Sequence, residues 1–531
     1  MQLRPNALLS SCVALAMLAA PPLLRADDLI SDPHGKDFQG ETCLRCHDGK
    51  PEPEPGVPEA EYDVVIVGGG QAGLATLTYL KDRKVLLLEA EDEPGGQMRE
   101  ATWRGIRYAV GAAYVVYPYG LLKEFYDMNG VELTMIPEPE NSAWIDGKFY
   151  PACWREEGRK HMPWKGKDLE HWVKFLEWME AVNNTNMSNQ PFEAFDPQQQ
   201  SLDKISAEAL MRRDGLTDEM IYHFNRYIPS CFGAEAGQIS AAAFANYISG
   251  EIGGNYTFPG GLGNLTKQVA SNYKDQIRLG SRVTRVEQDM YGCRVTYLDK
   301  QRRSHTVKAR TTVMAVPCNL LPDLIPDLPQ EKKDVIAKTK YSSYAVANVL
   351  MDKVMWDDKG YDTWINGTFF RDIIDATWIS RGGKPYANKN QPHVLTLYIP
   401  SGTTGMWDAM YWPEEKFKKL IRTDLEKVIP GVNKHIVDIQ VSRWGHSMHV
   451  ASPGFMTRSV PVLRKPHYRI MFAGAEVEGL PCNESAIISG WKAANAARTW
   501  LWDGPDRLDV PGSLMRSRAR GKTKSKAAGG D

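Results

Sequence analysis

Two patterns in this 531-residue chain place side chains at spacings that can do chemistry. The first is Cys43-Leu44-Arg45-Cys46-His47, a C-x-x-C-H. Two thiols so spaced can add across haem vinyl groups, and the adjacent histidine can bind the iron. Cys43 and Cys46 then attach a c-type haem and His47 ligates its metal. The same thiols also suit an exposed disulfide or redox pair, or zinc. Zinc needs further ligands, and only His34 is near in sequence. A thioredoxin-like use would need its own βαβ unit, which this segment does not have. The second pattern is Gly68-x-Gly70-x-x-Gly73, with Glu89 sixteen residues further on. Such glycines allow a tight turn, close approach of a pyrophosphate, and packing of helix on strand, while the acid reaches a ribose hydroxyl.

The flanking residues supply the elements the glycines require. Val64-Val65-Ile66-Val67 reads as a strand, Ala75 to Lys81 is helix-compatible, and Val85 to Leu88 is a second strand ending on Glu89. Strand, turn, helix, strand and acid together make a dinucleotide-binding βαβ unit, whose helix N-terminus meets the phosphates with free N–H groups. Alone, the unit fits NAD or FAD.

At 531 residues the chain is long for one domain, and two intertwined domains are expected. A hydrophobic fraction of 43% and a charged fraction of 24% are ordinary for a globular protein. The net charge of −1 argues against a general nucleic-acid binder. Residues 1–26 read as a secretory signal, with Arg4 before the apolar run Ala7 to Ala20 and a small residue, Ala26, at a possible cut. Leu24 leaves that cut undefined, and an uncleaved anchor stays open. No later stretch is long and apolar enough to span a bilayer, so a periplasmic or otherwise exported protein is expected. Pro51 to Pro58 is a proline-rich spacer. Only about 35 residues separate the signal from Asp63, too few for an independent cytochrome core, so a haem would lean on the rest of the protein.

Further blocks carry a resemblance. Pro94-Gly95-Gly96-Gln97-Met98-Arg99 is followed by Tyr108-x-x-Gly111-Ala112, then by Phe258-Pro259-Gly260-Gly261-Leu262. Thr312 to Pro317, Ile470 to Glu476 and Glu484 to Ala494 complete the set. From Tyr62 to Trp500 the chain resembles the flavin-containing amine oxidase superfamily, which includes monoamine oxidases, polyamine oxidases and carotenoid desaturases. The resemblance implies a Rossmann-like α/β FAD-binding domain intertwined with an α+β substrate domain. It implies FAD contacts at Gly68, Gly70, Gly73, Glu89, Gly95, Gly96, Gln97, Arg99, Val283, Gly474, Glu476, Ala486 and Ile487. Gln97 stands where the family commonly has arginine, so Arg99 is expected to supply that charge. Val283 is expected to contact the adenine through its backbone, and the helix from about Ser485 to face the flavin edge where reduction places negative charge.

The expected division is FAD-binding segments at 61–140, 256–320 and 446–502, substrate segments at 141–255 and 321–445, a haem segment and linker at 27–60, and a basic tail at 503–531. That tail carries six basic residues and no acid from Arg516 to Lys526. Leu169, Trp172, Val173, Leu176 and Met179 form one helical face, Ser206 suits an N-cap, and Trp412-Pro413-Glu414-Glu415 starts a helix running to about Val428. Cys293 and Cys318 read as buried apolar thiols.

Two departures from the family stand out. Monoamine oxidases place a lysine near the flavin, whereas Pro322 and Asp323 fall nearest here. They also frame the amine with two aromatics, and the second position falls at Cys482-Asn483. Trp444, His449 and Asn483 are the candidate substrate-handling residues, with His446 beside them; either histidine could instead serve as a distal haem ligand. The resemblance and the haem motif together imply an amine dehydrogenase or oxidase. Hydride passes from a substrate C–H to the flavin, and electrons leave through the haem to an external acceptor, a cytochrome or oxygen. Two alternatives stand: a desaturase or dehydrogenase of a hydrophobic non-amine, or a non-catalytic electron-transfer subunit.

Overall fold

The computed structural model describes residues 56–116, 118–183, 197–258, 261–403 and 410–501. Residues 1–26, the C-x-x-C-H motif and the basic tail lie outside them. Two seven-stranded sheets organise the described chain.

The first sheet is the dinucleotide-binding one. Glu61–Val67 pairs in parallel with Val85–Leu88 on one side and with Ser304–Met314 on the other. Val64 to Val67 are fully or almost fully buried, as expected of a parallel strand covered on both faces. Ile470–Phe472 adds in parallel beside Ser304–Met314, while Arg282–Gln288 and Cys293–Leu298 extend the edge antiparallel. Strands near residues 61–88, 277–314 and 470–472 thus share one sheet, so the chain enters this domain three times. The helix Gln71–Tyr79 returns from the glycine turn, and the closing helix Asn483–Trp500 packs along it. Gly490 permits that contact, because a Cβ there would lie 2.6 Å from the Ala72 carbonyl oxygen.

The second sheet orders Ile436–His449, Tyr341–Met351, His393–Gly402, Asp372–Asp375, Asp362–Ile365, Asn141–Ile145 and Lys148–Tyr150. Its pairs are antiparallel except Asp362–Ile365 with Asn141–Ile145. Helices between residues 156 and 253 cover one side of it. In Lys167–Val182 the buried face is Trp172, Phe175, Leu176, Met179 and Val182, with Leu169 and Val173 at its border. Ser206 caps Ala207–Arg213 by accepting from Ala209 N, and Glu414–Val428 starts after Pro413 with two acids in its first turn.

Two expected boundaries move. The strand Ile436–His449 runs through position 445 and stays paired with Tyr341–Met351 as far as His449, so the substrate sheet ends later than expected. Residues 321–338 belong to the FAD-binding side, because the Lys332 ammonium donates to the carbonyls of Val462 and Leu463 at 2.6 Å and Lys465 at 3.0 Å. Phe472 of the first sheet lies under that ammonium, 4.1 Å from ring centroid to Nζ. No helix among the described residues is long and apolar enough to cross a membrane.

Candidate active site

The glycine turn forms because its positions exclude side chains. Gly68 has φ of +104°, and a Cβ on Gly73 would sit 1.9 Å from the Gly68 carbonyl oxygen. At Gly70 a Cβ would meet only Gly96 Cα at 3.8 Å, so that glycine leaves room for a ligand and not for a protein contact. Glu89 follows the second strand and accepts the backbone N–H groups of Gly69 and Glu91. Burial pushes its carboxyl up, while those two donors and Arg99 pull the other way.

These residues line one end of a cavity of about 660 Å³. That volume falls in the range of a cofactor and substrate site. Gly95, Gly96, Gln97 and Arg99 wall it next, with the Gln97 amide donating to Ser447 O. The buried Arg99 guanidinium pairs with Glu93 at 3.1 Å and donates to Gly96 O. Val283, beside a bulge in its strand, lines the same end. Gly474 and Glu476 enter from the third passage of the chain. The Glu476 carboxylate accepts Cys318 N–H at 3.1 Å and the Tyr341 hydroxyl at 3.3 Å.

The closing helix meets this cavity end-on. It has no side-chain cap bond, and Pro481, Cys482, Asn483, Glu484 and Ala486 at its start all line the space. Its positive dipole end therefore favours negative charge there. Glu484 accepts Val116 N–H at 2.6 Å, and burial raises its carboxyl to about 7.

The far end is built by the substrate sheet and its helices. Tyr114, Ser230, Cys231, Tyr247, Tyr344, Val346, Tyr398 and Trp444 line it. The segment 110–113 crosses between the two ends, and three of its four carbonyls are taken by side chains. Trp444 Nε1 donates to Val110 O at 2.8 Å and Tyr398 OH to Gly111 O at 2.9 Å, while Thr257 and Tyr361 hydroxyls reach Ala113 O at 3.3 and 3.4 Å.

One cavity thus unites nearly all the expected contact residues. Gly73 stands behind the wall, in its packing role. Ile487 does not line the cavity: it is fully buried in the hydrophobic core of the FAD-binding domain, because the helix turns that position away while Ala486 faces in. The three substrate-handling candidates do line it, each already engaged. Trp444 is the strap just described. The His449 imidazole meets Gly479 O at 3.0 Å, stacks on Phe455 at 5.2 Å, and is held neutral by burial. That bond engages Nε2 and holds the ring in the cavity wall. Asn483 donates to the Tyr126 hydroxyl at 3.0 Å and keeps a buried Oδ1 without a partner among the described residues. His446 sits edge-on to Tyr341 on the cavity wall. Asp323 lines the cavity beside Leu320 and Leu324, and among the described residues no lysine lines it. Cys293 and Cys318 are buried thiols whose pKa burial raises, Cys293 to about 11.

The tyrosines of the far end are the residues that sequence reasoning missed. Tyr344 and Val346 could be anticipated as one face of a strand by their two-residue spacing, but Tyr114, Tyr247 and Tyr398 come from separate elements.

The chain matches the model of a family described as flavin containing amine oxidoreductase over residues 71–498. The chain belongs to this family. Flavin-containing amine oxidase B of Sus scrofa is 24% identical over 85% of this chain and 91% of its own length. The flavin-containing amine oxidase of Oncorhynchus mykiss is 22% identical over 85% and 90%. Among solved structures, a putrescine oxidase bound to putrescine superposes with a TM-score of 0.66 at 18% identity, covering 83% of this chain and 99% of that one. Cyclohexylamine oxidase from Brevibacterium oxydans IH-35A superposes with a TM-score of 0.63 at 20% identity, over 83% and 99%. These structures share the fold. This family member is an FAD-dependent oxidoreductase. Its residues fit the cofactor: Gly70 and Gly96 line the cavity without side chains, and Gln71, at the helix start, lines it with a buried amide whose two polar atoms have no protein partner among the described residues. Among the described residues no group of His, Cys, Asp and Glu could hold a metal ion.

Proposed function

We propose that this protein is an exported amine dehydrogenase that oxidises a small amine and sends the electrons through a c-type haem on Cys43, Cys46 and His47 to an external cytochrome or oxygen. The observation that carries the amine half is the single cavity joining the Glu89 end to the tyrosine-walled end, across the start of the closing helix. FAD, when bound, supplies the hydride acceptor. Gly68, Gly70, Gly95 and Gly96 hold its phosphates, Glu89 its ribose, and Arg99 adds positive charge. The uncapped start of the closing helix stabilises the negative charge that reduction brings. Trp444, Tyr344 and Tyr398 shape a pocket that excludes water from the reacting C–H bond. The relatives named as amine oxidases, and the putrescine and cyclohexylamine enzymes that share the fold, support an amine as substrate.

The haem half rests on the C-x-x-C-H motif behind a signal-like N-terminus. An enzyme that passes electrons to oxygen directly has no use for a haem, so its presence favours a dehydrogenase. The test is the absorbance of protein exported together with haem-maturation machinery. A flavin spectrum plus a c-haem α-band is expected, and putrescine or cyclohexylamine added without oxygen should bleach the first and then sharpen the second. A flavin spectrum without a haem band would remove the electron path. A flavin that no amine bleaches would remove the amine reading.

A further inference from the structure

Amine oxidation by hydride loss needs the nitrogen lone pair to form the C=N bond, yet an alkyl ammonium has a pKa of about 10 and enters protonated. The proton must go somewhere inside a closed site. Glu251 stands behind the far wall on the helix Ala241–Gly253, one turn after Tyr247, so the two side chains share a helix face. Tyr247 lines the cavity; Glu251 is fully buried. The Glu251 Oε2 accepts Asn255 Nδ2 at 2.7 Å, whereas Oε1 has no hydrogen-bond partner among the described residues. The phenols of Tyr247 and Tyr227 face this carboxyl. Such a half-satisfied buried carboxyl is costly as a purely structural element, because an unmet acceptor forfeits its hydration for nothing.

We infer that Glu251 is the proton acceptor for the incoming ammonium, reached through the Tyr247 hydroxyl. This rests on the amine reading. An ammonium N–H bond breaks and its proton joins the Tyr247 oxygen. The Tyr247 O–H bond breaks in concert, and a new O–H bond forms on Glu251. No electrons are exchanged, and the amine is left neutral with its lone pair free. Glu251 acts through Tyr247 and is a positioning residue in the sense that it does not touch substrate.

The electrostatics agree. Burial raises the Glu251 carboxyl to about 7, against the pull of the nearby Tyr227, Asn255 and Tyr247 side chains and the more distant charge of Arg155. Glu140, just before the strand Asn141–Ile145, and Glu484 at the closing helix also act on, or are acted on by, this carboxyl, as do Asp362 and Asp372 from the substrate sheet. Burial keeps the Tyr247 phenol protonated, as a relay requires. Glu484 is a poorer acceptor despite a similar pKa, since it already receives Val116 N–H at 2.6 Å and its own backbone N–H.

The test is anaerobic stopped-flow bleaching of the flavin in the holoenzyme by putrescine and by cyclohexylamine, across pH. In the wild type the limiting rate should rise as pH passes about 7. In Glu251→Gln and in Tyr247→Phe that step should vanish, the rate below pH 7 should fall roughly 10²-fold, and it should recover as the pH nears the amine's own pKa of about 10. A merely structural defect would not be rescued by alkali. A readout independent of turnover is the infrared difference between wild type and Glu251→Gln at pH 6, where the wild type should carry one protonated-carboxyl component that the variant lacks, over those of Glu140 and Glu484. A wild-type pH profile in either variant overturns the relay while leaving the amine reading intact. Failure of every amine to bleach the wild type overturns both. Should Glu251→Gln not fold, Tyr247→Phe decides alone.

Discussion

Adding one methyl group at Gly73 should break cofactor binding and stability together, while the same methyl at Gly70 should break only the first. In Gly73→Ala the new Cβ would lie 1.9 Å from the Gly68 carbonyl oxygen and 3.1 Å from its carbon. An ordinary contact needs about 3.4 Å or more, so the helix Gln71–Tyr79 must back away by roughly 1.5 Å from a strand that is buried on both faces. The obstacle is backbone and cannot rotate aside. Overpacking of this kind costs about 1–3 kcal/mol, and here the displaced turn is also the phosphate cradle. In Gly70→Ala the Cβ has only Gly96 Cα at 3.8 Å, so the apoprotein should unfold at a wild-type urea concentration to within about 0.5 kcal/mol. Its FAD affinity should still drop, because the methyl occupies the line of approach of the pyrophosphate. The assay is urea denaturation of both apoproteins, with fluorescence titration of FAD. Equal apoprotein stabilities for the two variants, or a Gly73→Ala protein that binds FAD as tightly as wild type, would refute this account of the turn.

Three further outcomes follow from buried charges. Burial raises Glu140 to about 8 and Glu251 and Glu484 to about 7, all above their unfolded values, so the stability tied to their neutral forms is full near pH 4.5 and drains as pH rises through 7 to 8. Thermal denaturation should show a falling midpoint from pH 6 to pH 8.5; a rising one would contradict the assignment. His223 has the opposite sign: burial lowers its pKa to about 3, so its contribution is lost as pH falls below the unfolded value of about 6.5, and His223→Phe should flatten the acid limb. Lys332→Met should lose at least about 3 kcal/mol in urea, since it strands three carbonyls at about 1–3 kcal/mol each; a loss under about 1 kcal/mol would mean that residues 321–338 are held by something else.

How much of this was legible in the sequence depends on the range of the forces involved. The first βαβ unit and the closing helix could be read because turn, helix start and strand are set by residues adjacent in sequence. Glu89 could be placed because a strand delivers its last residue at a fixed point. The boundary at 445 failed because strand Ile436–His449 contains Gly445 and a histidine pair, a polar stretch that cross-strand pairing with Tyr341–Met351 overrides. The side on which residues 321–338 pack was hidden for a similar reason. Lys332 looks like a solvated charge in a polar helix, and only the fold brings three free carbonyls to it. The tyrosine wall was hidden most completely, since Tyr114, Tyr247, Tyr344 and Tyr398 meet only once both domains are assembled. Ile487 illustrates a finer limit: the approach of a helix to a cofactor could be read, but its rotation by one residue could not.

The strap over residues 110–113 carries a consequence for how the enzyme can be tuned. Trp444 and Tyr398 hang from the two strands that flank Tyr341–Met351 in the substrate sheet, yet clamp carbonyls in a segment whose Val110 and Ala112 N–H groups donate to the Arg99 and Gln97 carbonyls of the FAD loop. Three of the four backbone acceptors along that wall, on Val110, Gly111 and Ala113, are already engaged, so a bound molecule is recognised chiefly by side-chain hydroxyls and aromatic faces. The clamps also weld the pocket's floor to its roof. Variation in substrate preference is then easiest at positions such as Val346 or Cys231, which line the cavity without holding its walls together. A change at Trp444 or Tyr398 would retune the pocket and loosen the cofactor's seat in the same stroke.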